Sequence, residues 1–196
     1  SKSNIMLALS LKLHFFEQNS VNNMITLLCG TNRPNNQSQK FINTYKYLLK
    51  ERNVDCEEIY LEKMPSDLAY ANDIIGTASA ELRSEIESKM IPAKKLVVFV
   101  PEYNGSFPGI LKSFIDCMEP KHYKEMIIAL VGISSGRSGN LRGIDHLTGI
   151  FHYLGAEVLS AKLDIANLYS LLDSEGNPND DNVIRRMNWQ IDFLLK

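Results

Sequence analysis

The sequence predicts an α/β fold, a five-stranded parallel sheet covered by helices on both faces in a three-layer sandwich. Three observations predict it. From Met24 onward, short apolar runs alternate with stretches of helical period, the pattern of βαβ units. The run Lys95-Leu96-Val97-Val98-Phe99-Val100 is almost wholly apolar, as a central strand covered on both faces must be. Small, polar, Gly-containing segments follow three of the predicted strands, where open α/β sheets place their ligands.

Taken in order, Ile25-Thr26-Leu27-Leu28-Cys29 is the first strand. Phe41, Tyr45 and Leu48 then recur at helical spacing, so a helix is predicted from the late thirties to about position 52. Asn53-Val54-Asp55 turns into a second strand that ends near Leu61. The connection from Glu62 to about Thr77 contains Pro65, Asn72 and Gly76, and is the expected place for a substrate-facing loop. A polar helix carrying Leu82, Ile86 and Met90 on one face leads into the central strand. Leu111, Phe114, Ile115 and Met118 follow the i, i+3, i+4, i+7 pattern of a helix packed on a sheet. Met126 to Val131 is the fourth strand. Leu147, Ile150, Phe151 and Leu154 mark another helix, which Gly155 ends, and Ala156 to Ile165 supplies the fifth strand and its continuation. Val183, Met187, Ile191 and Leu194 define the closing helix.

The chain has 196 residues, enough for one domain with a substantial core and too few for two ordinary ones. With 44% hydrophobic and 22% charged residues it has the balance of a globular protein. A net charge of −2, with Lys and Arg scattered, gives no footprint for nucleic acid. No apolar run reaches the ~20 residues of a membrane span. Residues 1–23 are read as an N-terminal extension of unassigned role and 24–196 as the domain. Lys12 and His14 interrupt its apolar run, so a secretory signal is not expected, while Ile5, Leu7, Leu9, Leu11, Leu13 and Phe15 alternate as an extra strand or arm would. Cys29, Cys56 and Cys117 have no metal or C-x-x-C spacing and read as buried, reduced thiols of a cytoplasmic protein. His14, His122, His146 and His152 show no metal spacing, and no metal is expected. Tyr153, Met187 and Trp189 are read as core or subunit-contact residues.

The chemistry is expected in three loops. Gly30 to Ser38 offers hydroxyl and amide donors and the cation of Arg33 just before a helix start, which suits a phosphate. It also reads as a plain polar turn with Asn36 or Ser38 capping that helix. Neither a G-x-G-x-x-G nor a P-loop motif is present. In Pro101 to Gly109, Tyr103 and Phe107 can flank a flat ligand, Asn104 can pair with ring heteroatoms, and Pro108 suits the first turn of the next helix. The third loop is Ile133-Ser134-Ser135-Gly136-Arg137-Ser138-Gly139-Asn140. Together they describe a cleft with a phosphate end and a planar end, the shape of FMN.

Pro101-Glu102-Tyr103-Asn104-Gly105-Ser106, with Pro108-Gly109-Ile110-Leu111-Lys112, closely resembles the signature of the NADPH-dependent FMN reductase family, and the resemblance runs over residues 24–195. It implies a flavodoxin-like fold of strand order 2-1-3-4-5, and commonly a homodimer or homotetramer. It implies bound FMN, with NADPH or NADH as co-substrate and a flavin, quinone, azo compound or metal oxyanion as acceptor. By the same resemblance Thr31, Arg33, Gln37 and Ser38 would surround the FMN phosphate. Asn36 stands where the family usually has Ser, and its amide can also donate. Glu102, Tyr103, Asn104 and Gly105, with Pro101 before them, would line the isoalloxazine. Ser134, Ser135, Gly136 and Gly139 would close its far side. No side chain is expected to be catalytic in its own right, because the flavin carries the redox chemistry.

Two rivals remain in the sequence. An FMN-binding electron carrier has the same fold, but carriers tend to be strongly acidic so as to dock basic partners. Gly132-Ile133-Ser134-Ser135-Gly136 spells G-x-S-x-G, the nucleophile elbow of an acyl hydrolase. That reading needs an acid and then a histidine downstream of Ser134, and no later candidate acid has a histidine after it.

Overall fold

A computed structural model describes residues 24–69 and 79–196. The extension and its alternating run, and the middle of the connection after the second strand, lie outside the described residues. The strands are β1 (Ile25–Cys29), β2 (Cys56–Tyr60), β3 (Lys95–Pro101), β4 (Ile127–Ile133), β5 (Glu157–Val158) and β6 (Leu163–Ile165). The helices are α1 (Ser38–Lys50), α2 (Ala80–Lys89), α3 (Gly109–Asp116), α4 (Leu141–Tyr153) and α5 (Asp181–Leu194).

All strand pairs are parallel, and the order is β2-β1-β3-β4-β5, with β6 also paired to β4. Strand β3 alternates between two cores, because successive side chains point to opposite faces of a sheet. Val97 and Phe99 join Phe41, Tyr45 and Leu49 of α1 and Val183, Met187, Ile191 and Leu194 of α5. Leu96, Val98 and Val100 join Leu82 and Ile86 of α2, Phe114 of α3, and Leu147 and Phe151 of α4. Two helices therefore cover one face and three the other.

The helix ends follow local chemistry. Ser79, Asn140 and Asp180 cap α2, α4 and α5, each accepting from a backbone N–H in the first turn. Helix α4 stops at Gly155, whose φ of 81° a glycine adopts without strain. Gly155 N–H donates to His152 O and Ala156 N–H to Phe151 O, the paired bonds of a Schellman motif.

Two expectations are corrected. The fifth strand is not continuous. Ile128 pairs with Val158 and Val131 with Leu163, so β4 advances three residues while the edge advances five, and the two extra residues bulge out as β5 gives way to β6. The wholly buried Gln190 of α5 closes this gap, its Nε2 donating to Leu130 O at 3.1 Å and Ala161 O at 2.6 Å. Second, Cys56 is only half-buried, although Cys29 and Cys117 are buried. Met187 lies in the core, while Tyr153 and Trp189 are exposed, Trp189 lying against Phe193 with ring centroids 5.2 Å apart. No helix among the described residues is long and apolar enough to cross a membrane, and no cluster of His, Cys, Asp and Glu suited to a metal occurs among them.

Two outcomes are expected. Gln190→Leu strands buried carbonyls at the bulge and should lower stability by about 2 kcal/mol in urea unfolding. Burial raises the Cys56 thiol to about 11. The thiolate is the reactive form, so Cys56 alkylation in the native protein should rise about tenfold per pH unit from about pH 7 to pH 10 without levelling. A plateau near pH 8.5 would contradict the raised value.

Candidate functional site

Because the strands are parallel, β1, β3, β4 and β6 end at one rim, and the segments leaving them enclose a cleft of about 230 Å³. The first segment contributes Thr31 and Arg33 to Ser38, the second Pro101, Glu102 and Tyr103, and the third Ile133, Ser134 and Ser135. A fourth segment, after β6, contributes Leu168 and Tyr169.

In the first loop, the fully buried Thr31 sits at the centre of a small network. Its hydroxyl accepts from Arg33 N–H at 3.2 Å and pairs with Tyr103 Oη at 2.9 Å. Asn36 is tied on all sides. Its Nδ2 donates to Arg33 O at 3.0 Å and Glu62 Oε2 at 3.1 Å, and its Oδ1 accepts from the Cys29 thiol at 3.4 Å. Glu62 Oε2 also accepts from Gln39 Nε2 at 2.8 Å, so one carboxylate just past β2 pins both the loop and the first turn of α1. Burial pushes the Cys29 thiol up to about 12, leaving it a neutral packing and donor group.

Neither Asn36 nor Ser38 caps α1. Gln37 is the N-cap, at φ −75° and ψ −13°, and no side chain bonds to the helix start. No acidic residue occupies the first turn. Helix α3 likewise lacks a side-chain cap, and in α1 the Lys40 N–H is taken up by Gln37 O at 3.2 Å, while the N–H groups before it receive no cap. Arg33 forms no ion pair among the described residues. The anion-seeking groups of this loop are thus unspent.

The second loop begins as an extension of the sheet, Glu102 N–H donating to Ile133 O at 2.8 Å. Tyr103 and Ser106 exchange backbone bonds of 3.0 Å around Asn104 and Gly105, whose φ values are 50° and 77°. Asn-Gly is the favoured pair for a turn with two positive φ values. The turn tip points away from the cleft: Gly105 lines a neighbouring hollow of about 380 Å³ with Glu102, Ser138, Leu141, Arg142 and Asp145. Asn104 and Gly105 are absent from the cleft lining, while Glu102 borders both spaces. Phe107 does not flank the cleft either. It packs on the core and lies edge-on to His146 at 6.5 Å, and His146 Nδ1 also bonds Ser106 Oγ at 2.9 Å.

The third loop is folded on itself. Ser134 Oγ donates to Gly136 O at 2.8 Å and accepts from Gly139 N–H at 2.9 Å. Ser138 Oγ bonds the Glu102 carboxylate, joining this loop to the second. Asn140 caps α4 and donates through Nδ2 to Val100 O at 3.0 Å, fixing the helix start to the end of β3. Ser134 and Ser135 line the cleft, whereas Gly136 and Gly139 do not. The Ser134 hydroxyl is nearly buried, spent on these loop bonds, and has no histidine partner among the described residues. That geometry is not the one an acyl hydrolase needs.

Sequence reasoning missed Leu168, Tyr169 and the anchoring role of Glu62. The rule that places ligands beyond strand ends applies to β6 as well, and that strand ends at Ile165 as the sequence predicts, but the segment after it lacks the glycines that mark the other three loops.

The family model for NADPH-dependent FMN reductase matches residues 24–167. Among solved structures, the flavoenzyme NAD(P)H:(acceptor) oxidoreductase FerB from Paracoccus denitrificans superposes with a TM-score of 0.71 at 18% identity, over 88% of this chain and 95% of that one. The apo form of the NADH:FMN oxidoreductase EMOB gives 0.68 at 18% identity, over 88% of each chain. The two-electron reduced flavodoxin of Megasphaera elsdenii gives 0.54 at 12% identity, over 85% of this chain and 97% of its own. These likenesses establish the flavodoxin-like fold, and the family match, which covers most of the chain, establishes the lineage. The chain belongs to the NADPH-dependent FMN reductase family.

Proposed function

We propose that this protein holds FMN in the rim cleft and uses NADPH or NADH to deliver two electrons to a small acceptor: a free flavin, a quinone, an azo compound or a metal oxyanion. One observation carries the proposal: Arg33, which forms no ion pair among the described residues, and a helix start without a side-chain cap line one cleft with Pro101, Glu102 and Tyr103. The donor set fits the group. FMN held by these residues would supply the two-electron redox chemistry, with the nicotinamide as hydride source. The two oxidoreductases above are named for NAD(P)H and NADH, which supports the same reading.

The chain's own residues bind and orient. Arg33, Thr31, Gln37, Ser38 and the first N–H groups of α1 neutralise the phosphate. Asn36, held by Glu62, keeps that loop in shape. The Thr31 and Tyr103 bond couples the phosphate end to the ring end. Pro101, Glu102 and Tyr103 border the ring, while Asn104 and Gly105 form the turn that holds them in place. Ser134 and Ser135 close the far edge, with Gly136 and Gly139 shaping the loop behind them. No side chain is required as acid, base or nucleophile. The proposal includes assembly as a homodimer or homotetramer and a cytoplasmic location. The near-balanced charge of −2 favours turnover over service as an acidic electron carrier.

The purified protein, as isolated or after FMN is added, should show the two visible flavin bands, and NADPH or NADH should bleach them without oxygen. A carrier would stay coloured. A protein that is colourless and cannot be reconstituted would overturn the assignment. Arg33→Ala should weaken FMN binding about tenfold to a hundredfold, by loss of a charge-assisted contact, while riboflavin, which lacks the phosphate, should bind as before. Equal weakening of both ligands would remove Arg33 from the phosphate site.

A further inference from the structure

Of the two aromatic residues that the loop sequence offers as flanks for a flat ligand, one stays at the cleft with its hydroxyl already bonded and the other is turned away from it. Tyr103 spends its phenol on Thr31, and Phe107 lies against His146 and the core. Tyr169 is different. It lines the same cleft yet is 66% exposed, and its ring meets no other aromatic ring or cation among the described residues. It lies two residues past the end of the family match at 167.

Its backbone is firmly placed. Asn167 N–H donates to Gly136 O at 2.7 Å, Leu168 N–H to Ser134 O at 3.1 Å, and Ser170 N–H to Asn167 O at 2.9 Å. The Leu168 side chain is buried in the core between these bonds. The turn that carries Tyr169 is therefore bolted to the third loop, and the ring stands at the cleft rim with an apolar face turned to water. An aromatic face recovers most from that exposure by packing on another flat ring.

We propose that Tyr169 is a wall of the ligand site, its ring packing against the face of the flat heterocycle bound in the cleft. The inference rests on the FMN reading above and extends it to a residue outside the family signature. Because the contact is with the ring system, it is blind to the phosphate, unlike that of Arg33.

The test is titration of the apoprotein with FMN and with riboflavin, followed by flavin fluorescence, for the wild type, Tyr169→Phe, Tyr169→Ser and Tyr169→Gln. Ser and Gln variants should weaken both ligands alike, by about tenfold, while Phe should stay within about twofold of wild type. Because the ring is exposed, apoprotein melting curves should not move. Three results would overturn the inference alone: wild-type affinity in Tyr169→Ser and Tyr169→Gln, a loss confined to FMN, or a loss in Tyr169→Phe as large as in Tyr169→Ser. A wild-type protein that takes up neither flavin overturns the FMN reading and this inference with it.

Discussion

Everything in this fold hangs on β3 being apolar on both faces. It pairs with β1 on one side and with β4 on the other, in register from Lys95 against Ile127 to Pro101 against Ile133. A strand in that position has no solvent side, so its odd and even residues must each serve a core. Val97 and Phe99 hold α1 and α5, and Leu96, Val98 and Val100 hold α2, α3 and α4. A polar residue at any of these positions would cost more than local repair could offset. The parallel order has a second effect, since it sends the carboxyl ends of the strands to one rim and so decides where a site can form.

At that rim the loops are joined mainly by side chains bonded to distant backbone or to one another. Thr31 meets Tyr103, Glu62 holds Asn36 and Gln39, Ser138 meets Glu102, Asn140 reaches Val100, and Gly136 and Ser134 receive the turn after β6. Each bond adds only about 1 kcal/mol of net stability. Their larger effect is positional, because together they leave few ways for the loops to drift. Polar side chains inside the rim are largely paired, while the cleft-lining Arg33 forms no ion pair among the described residues and no side chain caps α1. A preorganised site of this kind binds its ligand with little ordering left to do.

Two buried side-chain polar atoms go without a partner among the described residues, Gln190 Oε1 being one. Tyr45 Oη is buried with no hydrogen-bond partner among the described residues, and burial pushes its phenol well above the ordinary range. The ring is retained by an edge contact with Phe99 at 5.5 Å. Here the apolar area and the aromatic contact outweigh a lost hydrogen bond.

The alternation of apolar runs and helical periods was enough to place β1, β3, β4 and all five helices to within a few residues, since period and burial are properties of neighbouring positions. The same holds for the Gly155 stop and for the three loops as the seat of the chemistry. What lay beyond the sequence depends on residues far apart in it. Thr31 and Tyr103 are 72 positions apart, and Asn140 and Val100 are 40. No local pattern announces that Asn36 faces Glu62, that Phe107 turns to His146, or that a two-residue bulge divides the edge strand and brings Tyr169 to the cleft. The sequence by itself determined the layers and the rim at which function gathers. Only the tertiary structure decided which side chains at that rim are already spent on one another and which remain free to meet a ligand, because a hydrogen bond between distant residues exists only once the chain has brought them together.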